Sequence, residues 1–373
     1  MNESNTINDS TLIINLNEEY KIKIEEAKDF DTSIFKDVYD RALKNVEEIV
    51  NQSSKNDVYD DFNNIIAFTG ERGKGKSSSM ISFRNVLVSS VENRKNWKKF
   101  VNSPTYTIKF ARINIVDPSL FRRGESLFEI ILAQMFQKFQ EHIKHKDCQL
   151  TDDDRRNIIK HFQEVFENLQ IINSDRKDLY KKDSIEVLSR LATSSNLREC
   201  FRKLVITYLE KFEKFEKNEG FLVIAIDDFD LNISSTYEML EDIRQFLMQS
   251  NIILLIACKM EQLKETITLY YKTEKLKNEI ENKANRYLDK LFPFTRTIEL
   301  PSFTINSQFR KIDTIIINNY GVESKYSLNN GGSIKNLYDF LIFDIESKLN
   351  IFVSKYEFRQ NQIIPDTIRE IIS

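Results

Sequence analysis

The fold is decided by the stretch GERGKGKS at residues 70–77, which fits the pattern G-x-x-x-x-G-K-[ST]. An apolar segment, Asn64–Thr69 (NIIAFT), precedes it, and a helical pattern follows from about Lys76 to Val91. A glycine-rich loop between a buried strand and a helix binds phosphate through backbone N–H groups and the positive helix N-terminus. The stretch therefore predicts a phosphate-binding loop in an α/β fold.

Each residue type in this loop has a chemical reason. Glycines let the backbone turn tightly and bring N–H groups against phosphate oxygens. Lys76 reaches the β- and γ-phosphates as a point charge, and Ser77 offers its hydroxyl to magnesium. A lysine-rich surface loop is the alternative, and the flanking strand and helix argue against it. The predicted nucleotide-binding residues are Gly70, Glu71, Arg72, Gly73, Lys74, Gly75, Lys76, Ser77 and Ser78.

A second motif, FLVIAIDD at residues 221–228, is an apolar strand that ends in two carboxylates. In a parallel sheet, the carboxyl end of such a strand lies at the same edge as the glycine loop. Asp227 is predicted to hold magnesium, and Asp228 to orient or deprotonate the attacking water. A solvated turn at the strand end is the alternative. Asp230 lies nearby but falls outside the pattern.

The rest of the chain alternates strands and helices, which predicts a mostly parallel five-stranded sheet between helical layers. Residues 1–60 are predicted to form a hairpin (Thr11–Leu16 with Tyr20–Ile24) and a helix at Phe35–Val50. Residues 61–301 form the predicted core, with a long helical insertion at about 120–218. Residues 302–373 are predicted to be a helical lid. The remaining predicted strands are Tyr106–Val116, Ile252–Cys258 and Thr295–Leu300.

Bulk properties narrow the class of protein. The 373 residues carry a formal net charge of −3, which gives no support for a nucleic acid or an anionic membrane as partner. Three scattered cysteines indicate a reducing compartment. The polar N-terminus lacks a secretory signal, and the longest apolar runs are too short to span a bilayer. These observations predict a cytoplasmic protein without a membrane anchor and leave nucleic acid binding undecided.

The chain resembles the KAP and STAND groups of AAA+-like P-loop ATPases over about Asn64–Pro301. The segments that carry the resemblance are GERGKGKSS, IDDFD, IILLIACK and RYLDKLFPFTRTIELP. The resemblance implies the three-layer P-loop NTPase fold, ATP and Mg²⁺ as ligands, hydrolysis of ATP and assembly into a homo-oligomer. ATP is favoured over GTP because no Asn-Lys-x-Asp motif is evident.

Three further site residues follow from the resemblance alone. Lys259, in Ala257-Cys258-Lys259, stands where STAND-like proteins have a Thr-x-Arg sensor. The match implies that Lys259 contacts the γ-phosphate. Arg286 stands where AAA+ rings have an arginine finger, with an ordinary solvated charge as the equal alternative. Arg369, in IIPDTIREIIS, matches a second sensor. The chain ends soon after it, which suggests a shortened chain or one part of a longer protein.

Relatives of this kind resemble ATPases of bacterial anti-phage defence operons, including the ATPase subunits of RADAR-type systems. That resemblance implies an effector partner, a deaminase or nuclease, encoded nearby. KAP proteins often carry membrane helices inside the ATPase core, whereas the insertion here is helical and polar, which argues against membrane attachment.

Three functions remain open at this point. The first is an oligomeric regulatory or motor ATPase, and the second is a scaffold that binds nucleotide without hydrolysis. The third, a motor that remodels DNA, is disfavoured by the acidic net charge. Two weaker signals are interpreted as structural: the cluster His142-x-x-His145-x-x-Cys148 lacks a fourth metal ligand, and Trp97 is expected to cap the first core helix rather than stack on nucleic acid.

Overall fold

The computed structural model describes residues 11–15, 26–31, 33, 35–53, 62–122, 124–144, 150–173, 196–217, 219–273, 279–301, 314–319 and 322–327. In chain order, the strands in these ranges are β1 (Thr11–Asn15), β2 (Ile65–Thr69), β3 (Lys109–Arg112), β4 (Gly220–Ile226), β5 (Ile252–Cys258), β6 (Thr297–Glu299), β7 (Thr314–Asn319) and β8 (Val322–Ser327). The α-helices are α1 (Lys36–Ser53), α2 (Lys76–Leu87), α3 (Val91–Arg94), α4 (Lys98–Val101), α5 (Leu127–Lys144), α6 (Asp152–Asn173), α7 (Leu197–Thr207), α8 (Thr236–Asp242), α9 (Met260–Thr273) and α10 (Ile280–Leu291).

Five strands form one sheet in the order β3-β4-β5-β2-β6, and every neighbouring pair is parallel. The protein is therefore α/β with an all-parallel five-stranded sheet, which confirms that part of the prediction. β4 and β5 lie in the middle and are buried along their whole length. Their runs of Ile, Leu and Val suit this position because a strand covered on both faces has no polar side.

Helices cover both faces of this sheet. Alternate residues of β4 belong to two apolar clusters: Leu222 packs with α5, α6 and α7, whereas Val223 packs with α1 and α2. The apolar residues of α7, which include Phe201 and Leu204, recur at the spacing of one helix face and are buried in the core. The helix continues into a π-helical turn at Tyr208–Phe212.

The insertion before β4 is helical in its described parts, α5, α6 and α7. The polar stretch Ile172–Asp183 is interpreted from its sequence as a loop, but its first two residues are helical because α6 continues to Asn173, and the rest lies outside the described residues. The second strand is shorter than Tyr106–Val116: β3 covers Lys109–Arg112, and a single bridge joins Val116 to Ile226.

Both chain ends differ from the sequence-based expectation. β1 is a strand as predicted, but it pairs in parallel with β7, which pairs antiparallel with β8. Tyr20–Ile24, its predicted hairpin partner, lies outside the described residues. For β7 and β8 the prediction of a helical lid is wrong, because the run TIIIN is rich in β-branched residues that favour strands. The other residues of 302–373 lie outside the described ranges.

Among the described residues, no helix combines the length and the apolar composition needed to cross a membrane.

Candidate functional site

The glycine loop (residues 70–78) joins β2 to α2 as predicted. Gly75 has φ +87°, and a Cβ at this position would lie 2.9 Å from Cζ of Phe35. A residue with a side chain at position 75 would be strained in this left-handed backbone conformation and would also clash with the buried Phe35 ring. Ser79 N donates to Gly75 O at 2.8 Å, so the first turn of α2 starts at this glycine. The loop conformation therefore depends on glycine at position 75.

The side chain of Lys76 folds back over the loop. Its Nζ donates to the carbonyl oxygens of Gly70 at 2.9 Å and Glu71 at 3.2 Å. These hydrogen bonds hold the ammonium group at the glycine loop, where its two acceptors are uncharged carbonyl oxygens. A phosphate oxygen forms a stronger, charge-assisted hydrogen bond than a carbonyl, so a bound phosphate can replace these partners.

Ser77, in the first turn of α2, lies against Asp227, which directly follows β4. The Ser77 side chain hydrogen-bonds the Asp227 carboxylate, and the backbone N of Asp228 donates to Asp227 Oδ1 at 3.0 Å. Burial raises the pKa of Asp227 above its ordinary value, and the two hydrogen bonds lower it by less. A hydroxyl and a carboxylate side by side are the oxygen ligands that Mg²⁺ takes beside substrate phosphates.

Asp228 has a left-handed backbone with φ +47°. Such a conformation is uncommon for a residue with a side chain and often occurs at functional sites. The turn is fixed on both sides, since Phe229 N donates to Ala257 O at 3.2 Å and Leu231 N donates to Asp228 O at 3.1 Å. Asp228 lines the cavity in front of the glycine loop.

Lys259 follows β5 and spans the front of the loop. Its Nζ lies 2.6 Å from Glu71 Oε2, and its backbone N donates to Asp230 Oδ1 at 3.0 Å. The hydrogen bond from Lys259 holds the pKa of Glu71 below its usual range. The residue predicted to sense the γ-phosphate therefore stands at the cavity, with its ammonium bound to a residue of the glycine loop.

Asp230 is a site residue that sequence reasoning left outside the motif. Its side chain is 5% exposed and lines the cavity, and burial raises its pKa. It fixes the start of α9, because its carboxylate accepts from Lys259 N and its carbonyl accepts from Gln262 Nε2 at 3.0 Å. The sequence signal was its position three residues after Asp227, within the turn that follows β4.

One cavity of about 310 Å³ lies at the carboxyl edge of β2, β4 and β5. Asp227 and Glu71 are not in its described lining, but their side chains bond to the lining residues Ser77 and Lys259. Arg286 does not belong to its described lining and is exposed on α10. Arg369 lies outside the described residues. The predicted residues in the lining are Arg72, Gly73, Gly75, Lys76, Ser77, Ser78, Asp228 and Lys259.

The two discounted signals have different outcomes. Trp97 is 1% exposed and packs edge-on against Phe30 and Phe83, the latter on α2, so it is unavailable for stacking on nucleic acid. His145 and Cys148 lie outside the described residues. Within the described part of the chain, no group of three or more His, Cys, Asp and Glu side chains is arranged to hold a metal ion.

The chain matches no protein-family model, and no curated protein matches it. The resemblance to KAP and STAND ATPases therefore stays a prediction that rests on the motifs and on the geometry around them.

Proposed function

We propose that this protein is a P-loop NTPase that binds ATP with Mg²⁺ and hydrolyses it. One observation carries the proposal: Lys76, Ser77 and Lys259 line one cavity at the ends of three adjacent parallel strands, and the Asp227 carboxylate, outside that lining, hydrogen-bonds the Ser77 side chain. Open α/β sheets bind ligands at this edge. A lysine, a hydroxyl and a carboxylate at a glycine-rich helix N-terminus are the groups that a nucleoside triphosphate requires.

Each side chain has a role that follows from its position. The backbone N–H groups of residues 73–78 and the Lys76 ammonium bind the β- and γ-phosphates. Ser77 and Asp227 would hold Mg²⁺, which neutralises charge on the phosphate oxygens when bound. Asp228, which lines the cavity, orients or deprotonates the attacking water. Lys259 contacts the γ-phosphate after it leaves Glu71.

The biological role proposed here is an oligomeric regulatory or motor ATPase in bacterial antiviral defence, acting with a deaminase or nuclease partner in the cytoplasm. Arg286 supports the oligomer, because an exposed arginine outside its own cavity is free to reach the site of a neighbouring subunit. The defence role rests on the motif resemblance. A mixing experiment tests the oligomer: Arg286→Ala should be inactive alone and regain turnover when mixed with inactive Lys76→Ala. No recovery on mixing would leave Arg286 without a catalytic role.

A scaffold that binds ATP without hydrolysis is the second candidate. The 2.6 Å contact between Lys259 and Glu71 favours it, because this contact withholds the sensor ammonium from the γ-phosphate. In that case nucleotide would only hold subunits or partners together.

ATP turnover measured against protein concentration, with Mg²⁺, separates the two candidates. An assembled ATPase should show turnover per subunit that rises with concentration and disappears in Asp228→Asn, while ATP binding in that variant persists. Tight binding without turnover at any concentration would refute hydrolysis by the isolated protein and favour the scaffold. Full turnover in Asp228→Asn would remove Asp228 from its proposed role.

A further inference from the structure

A second cavity, of about 390 Å³, lies beside the edge strand β3. Among the described residues, its lining has no member in common with the cavity at the glycine loop. Arg84 from α2, Arg112 from β3, and Gln134 and Lys138 from α5 contribute to its walls. Arg84 lies about 12 Å further along α2 than Lys76, at 1.5 Å per residue. The volume is within the roughly 300–1,000 Å³ typical of small-molecule sites.

Arg84 is the unusual residue of this cavity. It is 7% exposed, and its Nε and Nη1 atoms are buried without a hydrogen-bond partner in the described structure. Its third nitrogen, Nη2, donates to the side-chain oxygen of the adjacent Asn85 at 3.1 Å. A buried guanidinium with two unused donors is costly, because charges taken out of water need both an opposite charge and hydrogen bonds.

The surrounding charges leave this cation uncompensated. Arg112 Nη1 donates to the same Asn85 oxygen at 3.2 Å, so two guanidinium groups share one neutral acceptor. Lys138 is paired with Glu213 at 2.6 Å, which leaves the Glu141 carboxylate as the anion of the described lining that faces two cations, Arg84 and Arg112. Burial, with a smaller effect from Arg112, lowers the pKa of Arg84 to about 10. The cavity therefore presents a surplus of positive charge.

The cavity also offers an acceptor that needs a donor. Gln134 Oε1 is buried without a hydrogen-bond partner in the described structure. All three atoms, Nε and Nη1 of Arg84 and Oε1 of Gln134, are buried, so Arg84 and Gln134 must rotate toward an anion that accepts from the guanidinium of Arg84 and donates to Gln134 Oε1. A carboxylate only accepts, whereas a monoprotonated phosphate does both. We infer that this cavity binds the phosphoryl group of a small phosphorylated ligand, at a site separate from the glycine loop.

The test follows thermal unfolding of the full chain in Mg²⁺-free buffer with inorganic phosphate as the probe. Phosphate should raise the Tm saturably, by at least about 3 °C, in wild type and in Lys76→Ala, where the glycine loop is disabled. The rise should vanish in Arg112→Gln, an exposed substitution. A rise that is lost in Lys76→Ala and kept in Arg112→Gln would overturn the inference and assign the effect to the glycine loop.

The variant Arg84→Met provides an independent test of the phosphate site. This variant removes a buried charge without a partner, so its Tm in phosphate-free buffer should equal or exceed that of wild type, and phosphate should no longer raise it. A phosphate response of wild-type size in a folded Arg84→Met would overturn the inference. Sulfate at matched ionic strength is the control, since it carries no proton for Gln134. Equal shifts with sulfate and phosphate would also overturn it.

A final comparison, made in Lys76→Ala, identifies the source of the phosphoryl group. A larger Tm rise with AMP than with phosphate at equal concentration supports a nucleotide monoester, and the reverse supports free phosphate. Because Lys76→Ala disables the proposed ATP site without touching this cavity, failure of one proposal is distinguishable from failure of the other.

Discussion

Replacing Gly75 with alanine tests whether the glycine loop is built as the structure indicates. Two separate costs are expected. A Cβ on the left-handed backbone at φ +87° costs about 1–2 kcal/mol. Its 2.9 Å approach to Phe35 Cζ forces a buried ring to move, at about 1–3 kcal/mol more. Urea unfolding should therefore show a loss of about 2–5 kcal/mol in the free energy of unfolding, and ATP affinity should fall with it.

A matched control separates the two costs. Gly124 has nearly the same backbone, φ +88°, but an added Cβ would meet no atom of the described residues within 4 Å. Gly124→Ala should therefore cost only the backbone strain, about 1–2 kcal/mol. Combining Phe35→Leu with Gly75→Ala should recover the part that is due to the clash, seen as coupling in a double-mutant cycle. Equal costs for the two glycine variants, or strict additivity with Phe35→Leu, would refute the reasoning.

Three further predictions follow from contacts at the site and in the sheet. Glu71→Gln should release Lys259 and strengthen ATP binding relative to ADP, measured with a fluorescent nucleotide; unchanged selectivity would mean that Lys259 does not reach the γ-phosphate. Burial raises the pKa of Asp227, so its carboxylate takes up a proton at a higher pH than an exposed Asp would. Protons compete with Mg²⁺ for this carboxylate, so on acidification the apparent Kd for Mg²⁺ should begin to rise at a higher pH than an exposed Asp would give, and a rise only in the range of an ordinary Asp would contradict this. Asn64→Leu should cost about 2–4 kcal/mol, since its buried amide donates to the carbonyls of Leu247, Gln249 and Ile252. Exposed Asn102→Leu, which removes one hydrogen bond, should cost under about 1 kcal/mol in the same urea assay.

The parts of the fold that the sequence predicted well are those with strong local signals. β4 and β5 are continuous apolar runs, and a strand of this kind fits only the middle of a covered sheet. The glycine loop was equally clear, because its pattern needs both a preceding strand and a following helix. Asp227 and Ser77 could be paired from the sequence, since strand ends in a parallel sheet share one edge.

Other features depend on contacts between distant residues and left no local signal. The contact of Glu71 with Lys259 joins loops that are far apart in the chain, and no periodicity indicates it. Likewise β1 finds its partner in β7, about 300 residues later. The hairpin was predicted instead because pairing between sequence neighbours is the usual case.

The position of β2 has a consequence for synthesis of the protein. β2 lies between β5 and β6, so both of its neighbours, around Leu254 and Thr297, are translated long after it. At about 5–20 residues per second, β2 waits on the order of 10–40 s for β5 to be made. During that time its apolar edges have no partner, and the glycine loop has no rigid strand behind it. The nascent chain therefore carries unpaired apolar strand edges over this interval, and the glycine loop gains its rigid frame only late, after β5 closes the sheet.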